Sequence, residues 1–411
     1  MLAEKKAKKL IFWSFVCLFV NSFLIEFPKA HINISSSNYF IVLYISVGCL
    51  VYLYSKSGWK QDVPKSTVLM FHLVMVCNLV GLVRGFLTAA NYYDWKNAFI
   101  ESGGGLSLLI PLAMMVGVNF LYSQKLMRFC LLVLTYGFLI IPVVAQYESE
   151  IYSRLMSMVV FMLLLVPFFK LRQSAIILVV AIVSAVISIA WRANVLHIAL
   201  SLLFLLIYYF RKVVTRQVLT VLQIAFFVIP FYFLYQGITT GKSVFRQDDN
   251  TEMMVSNKGE EENLAADTRT EIYEEVLTDL HDTNDIWLGR GANGKYKTEF
   301  DWGLIEALSD ERPNVEVGFL KTLIQTGVLG LLLYGIVIGL AVYYGTNQTN
   351  NTLTKMIATY LASHFAILFI ENINDYSIYF YFSWVAIGIC FSKTFRSLTD
   401  EQIKNWLRYS R

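Results

Sequence analysis

The chain has 411 residues, 56% of them hydrophobic and only 16% charged, with a formal net charge of +4 and a mean hydropathy of +0.54. A soluble globular protein carries about 25% charged residues, so this composition excludes that class and points to an all-α polytopic membrane protein. No basic stripe of the kind that binds nucleic acid interrupts the apolar runs.

In chain order, twelve runs are long enough to span a hydrocarbon core, near 10–27, 38–54, 67–87, 99–121, 127–145, 154–171, 173–190, 193–210, 218–236, 316–344, 353–371 and 376–393. Each crossing takes about 20 apolar residues. The basic start before the first run also fits a secretory signal. Ile25-Glu-Phe-Pro28 offers no small-residue cleavage site, however, so the first span is expected to stay. Lys5, Lys6, Lys8 and Lys9 precede the first span. Lys56, Lys60 and Lys65 follow the second, Lys125 and Arg128 the fourth, Lys170 and Arg172 the sixth, and Arg211, Lys212 and Arg216 the eighth. Lys393 and Arg396 follow the last. The positive-inside bias puts these loops and both termini in the cytoplasm. The expected organisation is therefore transmembrane helices 1–9 over 1–236, a large external loop over 237–315, and transmembrane helices 10–12 with a cytoplasmic tail over 316–411.

The external loop holds eight Lys/Arg against eighteen Asp/Glu, a net charge of −10, which leaves +14 for the rest of the chain. A connection longer than about 15 residues is usually functional or unstructured. Its first part, Thr239 to Asn263, is polar and expected to be mobile. From Thr268 the pattern changes: Thr268 and Glu271 make a capping box, and Ile272, Val276, Leu277 and Leu280 recur at helical spacing. This predicts an amphipathic helix of about three turns that packs on the membrane domain or lies in its interface. Further on, Gly289-Arg-Gly-Ala-Asn-Gly294 matches GxGxxG. Lys295-Tyr-Lys-Thr-Glu follows instead of an apolar helix, so a glycine-rich turn near the membrane surface is the better reading than a dinucleotide site.

Charge inside or at the lip of a bilayer is expensive and marks functional candidates. Arg192 opens the eighth span, Arg84 lies near the outer end of the third, Arg269 opens the loop helix, and Glu316 stands where the tenth span begins. Arginine offers a rigid fork of donors suited to phosphate oxygens. Arg290 and Arg312 in the loop join Arg84 as candidate binding groups. The plain alternatives are snorkelling anchors for Arg84 and Arg192, and a helix-capping carboxylate for Glu316. Glu371 and Asp375 read as solvated outer-loop carboxylates. His72, His197 and His364 read as packed donors between helices, and His281 as a helix-end residue. All five cysteines lie in apolar runs, and no Cys or His spacing supports a metal site.

These stretches, in this order, resemble the O-antigen polymerase and O-antigen ligase superfamily. The match runs by motif over about residues 185–345. In that family an Arg follows an outer span end, and Arg192 fits although its Ala-Trp-Arg-Ala neighbours differ from the usual Ser-Arg-Gly-like turn. The family loop carries Arg, an aromatic, then Gly-x-Gly, positions that Arg269, Tyr273 and the Gly289/Gly291 pair occupy. In ligases the next span opens with His-Asn, an aromatic and Leu, with a Gly eleven residues after the His. Phe319-Leu320 and Gly327 fit, and Glu316 stands at the His position. The missing His-Asn favours the polymerase branch.

The resemblance implies a bacterial inner-membrane glycosyltransferase acting at the outer face. It would take undecaprenyl-pyrophosphate-linked oligosaccharides as substrates and need neither metal nor cofactor. Glu316, Arg269 and Arg192 would be catalytic, with Arg84, Arg290, Arg312 and Tyr273 binding substrate. Membrane lipids, a chain-length regulator and a flippase are the partners it implies. The rival readings are a ligase and a transporter or flippase of the same lipid-linked sugars.

Overall fold

In hydrocarbon every backbone N–H and C=O must be satisfied within its own segment, so long apolar runs have to coil into helices. The computed structural model follows this rule and describes residues 4–31, 40–101, 103–139, 149–188, 192–240, 253–255, 261–263, 268–298, 311–313 and 315–408. The helices are α1 (Glu4–His31), α2 (Phe40–Lys56), α3 (Lys65–Thr88), α4 (Tyr92–Phe99), α5 (Met114–Val118), α6 (Gln124–Tyr136), α7 (Ser149–Leu155), α8 (Met158–Leu164), α9 (Leu171–Ile187), α10 (Arg192–Tyr209) and α11 (Arg216–Thr240). After the loop come α12 (Thr268–Asp282), α13 (Gly318–Asn347), α14 (Thr352–Ile367), α15 (Ile378–Phe391), α16 (Lys393–Ser397) and α17 (Asp400–Arg408). Among the described residues, four helices are long and apolar enough to cross a membrane: α1, α3, α11 and α13.

Two of the expected continuous spans are broken. The run 99–121 becomes the end of α4, a 3₁₀ stretch over Gly105–Ala113, then α5 and a turn. Pro111 inside that stretch has no N–H to give an α-helical ladder. Burial of nearly every residue from Gly104 to Val118 makes irregular backbone tolerable, because protein rather than lipid surrounds it. The run 154–171 divides into α7, α8 and a 3₁₀ turn at Val166–Phe168 that contains Pro167. The run 127–145 is helical to Tyr136 and ends in a 3₁₀ turn at Gly137–Leu139. Its last residues lie outside the described ones.

All of α15 is buried, and it packs on α5, α13, α14 and the Gly105–Ala113 stretch. By contrast, only 11% of the most apolar stretch of α11 is buried, so that helix belongs to the periphery. Polar side chains knit the centre: Tyr379 Oη lies 2.8 Å from His197 Nδ1, while His364 lies 3.3 Å from Tyr334 Oη and 3.2 Å from Ser383 Oγ. His197 and His364 thus join helices. His72 packs its ring on Trp59 and on Tyr54 of α2, but its Nδ1 bonds the Val68 carbonyl one turn back in its own helix.

Helix ends gather at two rims. At one, the Lys393 N–H donates to Asp62 O, Asn350 N–H to Arg396 O, Trp406 Nε1 to Leu121 O and Arg408 Nε to Phe168 O. The C-terminal segment is therefore no free tail: α17 buries Ile403 and Leu407 against this rim. The other rim carries the loop. There the all-α expectation needs a small correction, because two short antiparallel pairs occur, β1 (Met253–Val255) with β2 (Glu261–Asn263) and β3 (Tyr296–Lys297) with β4 (Glu311–Arg312). The stretch expected to be mobile contains the first pair, and its remaining residues from 241 lie outside the described ones.

Candidate functional site

The loop helix α12 forms where the apolar periodicity placed it, and Ile272, Val276 and Leu280 are fully buried against β3 and α13. Tyr273 turns inward as well. Its ring lies 6.2 Å from that of Phe319, and its hydroxyl donates to Phe369 O at 3.0 Å. Burial holds that phenol well above its usual pKa range. Tyr273, expected among the substrate-binding residues, anchors the loop helix to the membrane domain through Phe319 and Phe369.

Beyond α12 the glycine-rich segment is stitched into a break in α13. Gly327 has φ 67° and ψ −173°, a conformation only glycine adopts readily, and it interrupts the helical ladder. The loop satisfies the groups this frees. Arg290 N–H donates to Ile324 O at 2.6 Å, Val328 N–H to Ile286 O at 2.9 Å, and Leu329 N–H to Trp287 O at 3.3 Å. A Cβ at Gly327 would fall 2.2 Å from Trp287 O, and one at Gly289 would fall 2.6 Å from Ile324 O. The other side of the turn lies on α3: Ala292 N–H donates to Gly81 O at 2.9 Å and Asn293 Nδ2 to Gly85 O at 2.7 Å. Gly289 and Gly327, distant in sequence, meet in one close backbone contact, while Gly291 lies against Gly81 and Gly85 of α3.

Charge locks the same segment. Arg290 gives Nε to Asp285 at 3.2 Å, Nη1 to Asp279 and to Lys295 O, and Nη2 to Asp279 O at 3.1 Å and Thr283 Oγ1 at 2.7 Å. All five guanidinium N–H donors are engaged, so Arg290 braces the loop and has no donor left for a phosphate. Asp285 also accepts from Arg84 at 3.3 Å, which ties α3 to the loop. Lys295 reaches Asp94 on α4 at 3.0 Å. Burial works against the charged forms of Asp279 and Asp94. The donors around each outweigh it (Arg290 and Lys297 N–H for Asp279, Ala90 N–H and Lys295 for Asp94), so both stay below the usual carboxyl range.

Glu316 lies two residues ahead of α13, half exposed, with Arg312 Nη2 at 3.4 Å from its carboxylate. It does not cap the helix. Val317 is the N-cap, and no side chain caps it. Arg312 in β4 stands opposite the buried Tyr296 of β3, the strand that packs on α12. Arg192 and Arg269 each stand in the first turn of a helix, α10 and α12, and their side chains lie outside the described residues.

The sequence reading did not single out Lys321. Lys321, buried in the first turn of α13, pairs with Asp375, which also accepts from Asn372 Nδ2 at 3.3 Å. Asn374 donates to Gly318 O at 3.1 Å and Thr322 Oγ1 at 2.8 Å, and Gln325 donates to Gly103 O at 3.1 Å. A lone lysine in the apolar run 315–347 was the available signal. Asp375 is therefore a paired group and not merely a solvated one. Comparison of the sequence with protein-family models and with curated proteins finds no match.

Proposed function

We propose that the protein is a glycan polymerase of the inner membrane. It would transfer a growing saccharide from undecaprenyl pyrophosphate to the terminal hydroxyl of a lipid-linked repeat unit at the outer face. In this reading the chain crosses the membrane twelve times with both termini inside, and the loop rim faces outward. The single observation that carries the proposal is the junction of the loop with α13. The Gly289/Gly291 turn is in contact with Gly327, and Glu316, just ahead of the same helix, has an arginine beside its carboxylate. A plain anchor has no need to sew a folded acidic loop into a broken helix.

The chemistry suits such a rim. The bond from the donor sugar to pyrophosphate breaks and the acceptor oxygen bonds to that sugar. The departing pyrophosphate keeps the electron pair, while the acceptor proton passes to Glu316. Arg192 and Arg269 are assigned to the pyrophosphate, where fixed cations stabilise charge as it develops. Glu316 is exposed enough to meet an acceptor hydroxyl. A ligase would use His-Asn where this chain has Glu316-Val. A transporter would use a helix break to line a substrate path, whereas the backbone of 286–290 closes this one.

The test is genetic. Cells lacking the gene should carry surface glycan of one repeat unit, and polymer should return with the wild-type gene. Loss of even the single unit, with lipid-linked repeats retained on the inner leaflet, would indicate a flippase and contradict the proposal.

A further inference from the structure

At the basic rim, where α3 begins, α13 ends and α16 starts, lies an open pocket of about 390 Å³ whose lining includes Tyr344, Gln348, Asn350, Lys393 and Arg396. Arg396 forms its floor and is 5% exposed. Its Nη1 donates to Gln348 O at 2.6 Å and reaches Gln348 Oε1 at 3.5 Å, and its guanidinium carbon lies 5.2 Å from the centre of the Tyr344 ring. Gln348 is the C-cap of α13, so this contact explains one nitrogen as a helix-end donor.

The rest of the guanidinium is unexplained. Nε is buried and has no acceptor. Among the described residues no carboxylate lies within 4.0 Å of Arg396, whereas Arg84, Arg290 and Arg312 at the other rim each have one. The acidic group that acts on it from farther away is Asp62, whose carboxylate already accepts from Ser392 Oγ and from Thr394 N and Oγ1. Burial accordingly disfavours the charged form of Arg396. Lys393 stands exposed on the same pocket, and no acidic side chain lines it.

A buried cation without a counter-charge is costly, and an anion with several acceptor oxygens removes that cost. A phosphate group fits best, because a guanidinium fork matches its oxygens and a lysine at the mouth adds a flexible charge. We propose that this pocket is a phosphate-binding site, with Arg396 as its floor and Lys393 as its gate. The phosphate belongs either to a lipid headgroup of the adjoining leaflet or to a soluble phosphorylated compound. The site is separate from the loop rim and does not depend on glycosyl transfer there.

The test uses the purified full-length protein in nanodiscs. One arm titrates inorganic phosphate into phosphatidylcholine discs and follows heat of binding and thermal unfolding. The second replaces part of the lipid with phosphatidylglycerol, without phosphate, and follows unfolding together with lipid retained in native mass spectra. Saturable binding is expected in at least one arm, and the arm in which it appears identifies the source. Lys393→Gln, an exposed change, should weaken binding about tenfold with the unliganded unfolding temperature unchanged, and Arg396→Gln should abolish it. Should Arg396→Gln fail to accumulate, Lys393→Gln and Lys393→Glu decide. No saturable binding in either arm, or binding that the lysine variants leave unaltered, overturns the proposal.

Discussion

Replacing Gly327 by Ala should detach the loop from the membrane domain. Its backbone, at φ 67° and ψ −173°, is one that a residue with a Cβ holds only at a cost of about 1–3 kcal/mol. The added methyl would also fall 2.2 Å from Trp287 O, so the strand of backbone at 286–290 must move. That movement gives up hydrogen bonds to Ile286 O and Trp287 O, each worth about 1 kcal/mol net. Together these give about 3–5 kcal/mol. Hydrogen exchange on the purified protein should show lost protection at Arg290, Val328 and Leu329, with the core of α15 still protected. Gly339→Ala in the same helix is the control, because a Cβ there meets nothing within 4 Å. It should be neutral or stabilise by up to about 1 kcal/mol. Wild-type protection in Gly327→Ala, or equal damage from Gly339→Ala, would refute the reasoning.

Arg290→Lys keeps the charge but loses the fork. It should open 279–297 by about 3 kcal/mol, the loss of about two charge-assisted hydrogen bonds, as read by proteolysis of the loop. An intact loop with a raised substrate KM would instead return Arg290 to substrate binding. The attachment should also weaken in acid. Asp94 and Asp279 are held below the free carboxyl value of about 3.9, so their contribution is full above that pH and is lost as pH falls through the lowered values. Loop proteolysis measured against pH should thus change only below about pH 4, and a transition near neutrality would contradict the assignment. Glu316→Gln should lower turnover by about 10²–10⁴-fold while donor binding survives. Near-normal turnover would remove Glu316 as the base.

The apolar runs made the membrane class and most helix positions legible, because hydrocarbon solvent leaves a long apolar segment one regular choice. The breaks at Pro111 and at Pro167 were not legible as breaks. A buried irregular segment and a lipid-facing helix share the same hydropathy, and only the neighbours tell them apart. The periodicity of Ile272, Val276 and Leu280 located α12 and its buried face correctly. The resemblance singled out Gly289, Gly291 and Gly327, but the contact between Gly289 and Gly327 depends on a helix break that no sequence spacing encodes. Arg290 shows the opposite limit. A guanidinium reads as a phosphate fork until its carboxylates, Asp279 and Asp285, are seen to be already in place. Lys321 carries no sequence signal of its pairing, because its partner, Asp375, lies 54 residues away.

The most direct test of the account is reconstitution. The purified protein in liposomes, given only lipid-linked repeat units, should produce a ladder of products that grows one repeat at a time. Arg269→Ala and Arg192→Ala, each at wild-type abundance, should leave the units unextended. Units that stay monomeric with the wild-type protein but cross the bilayer, or that transfer only to a lipid A core acceptor, would contradict the polymerase assignment.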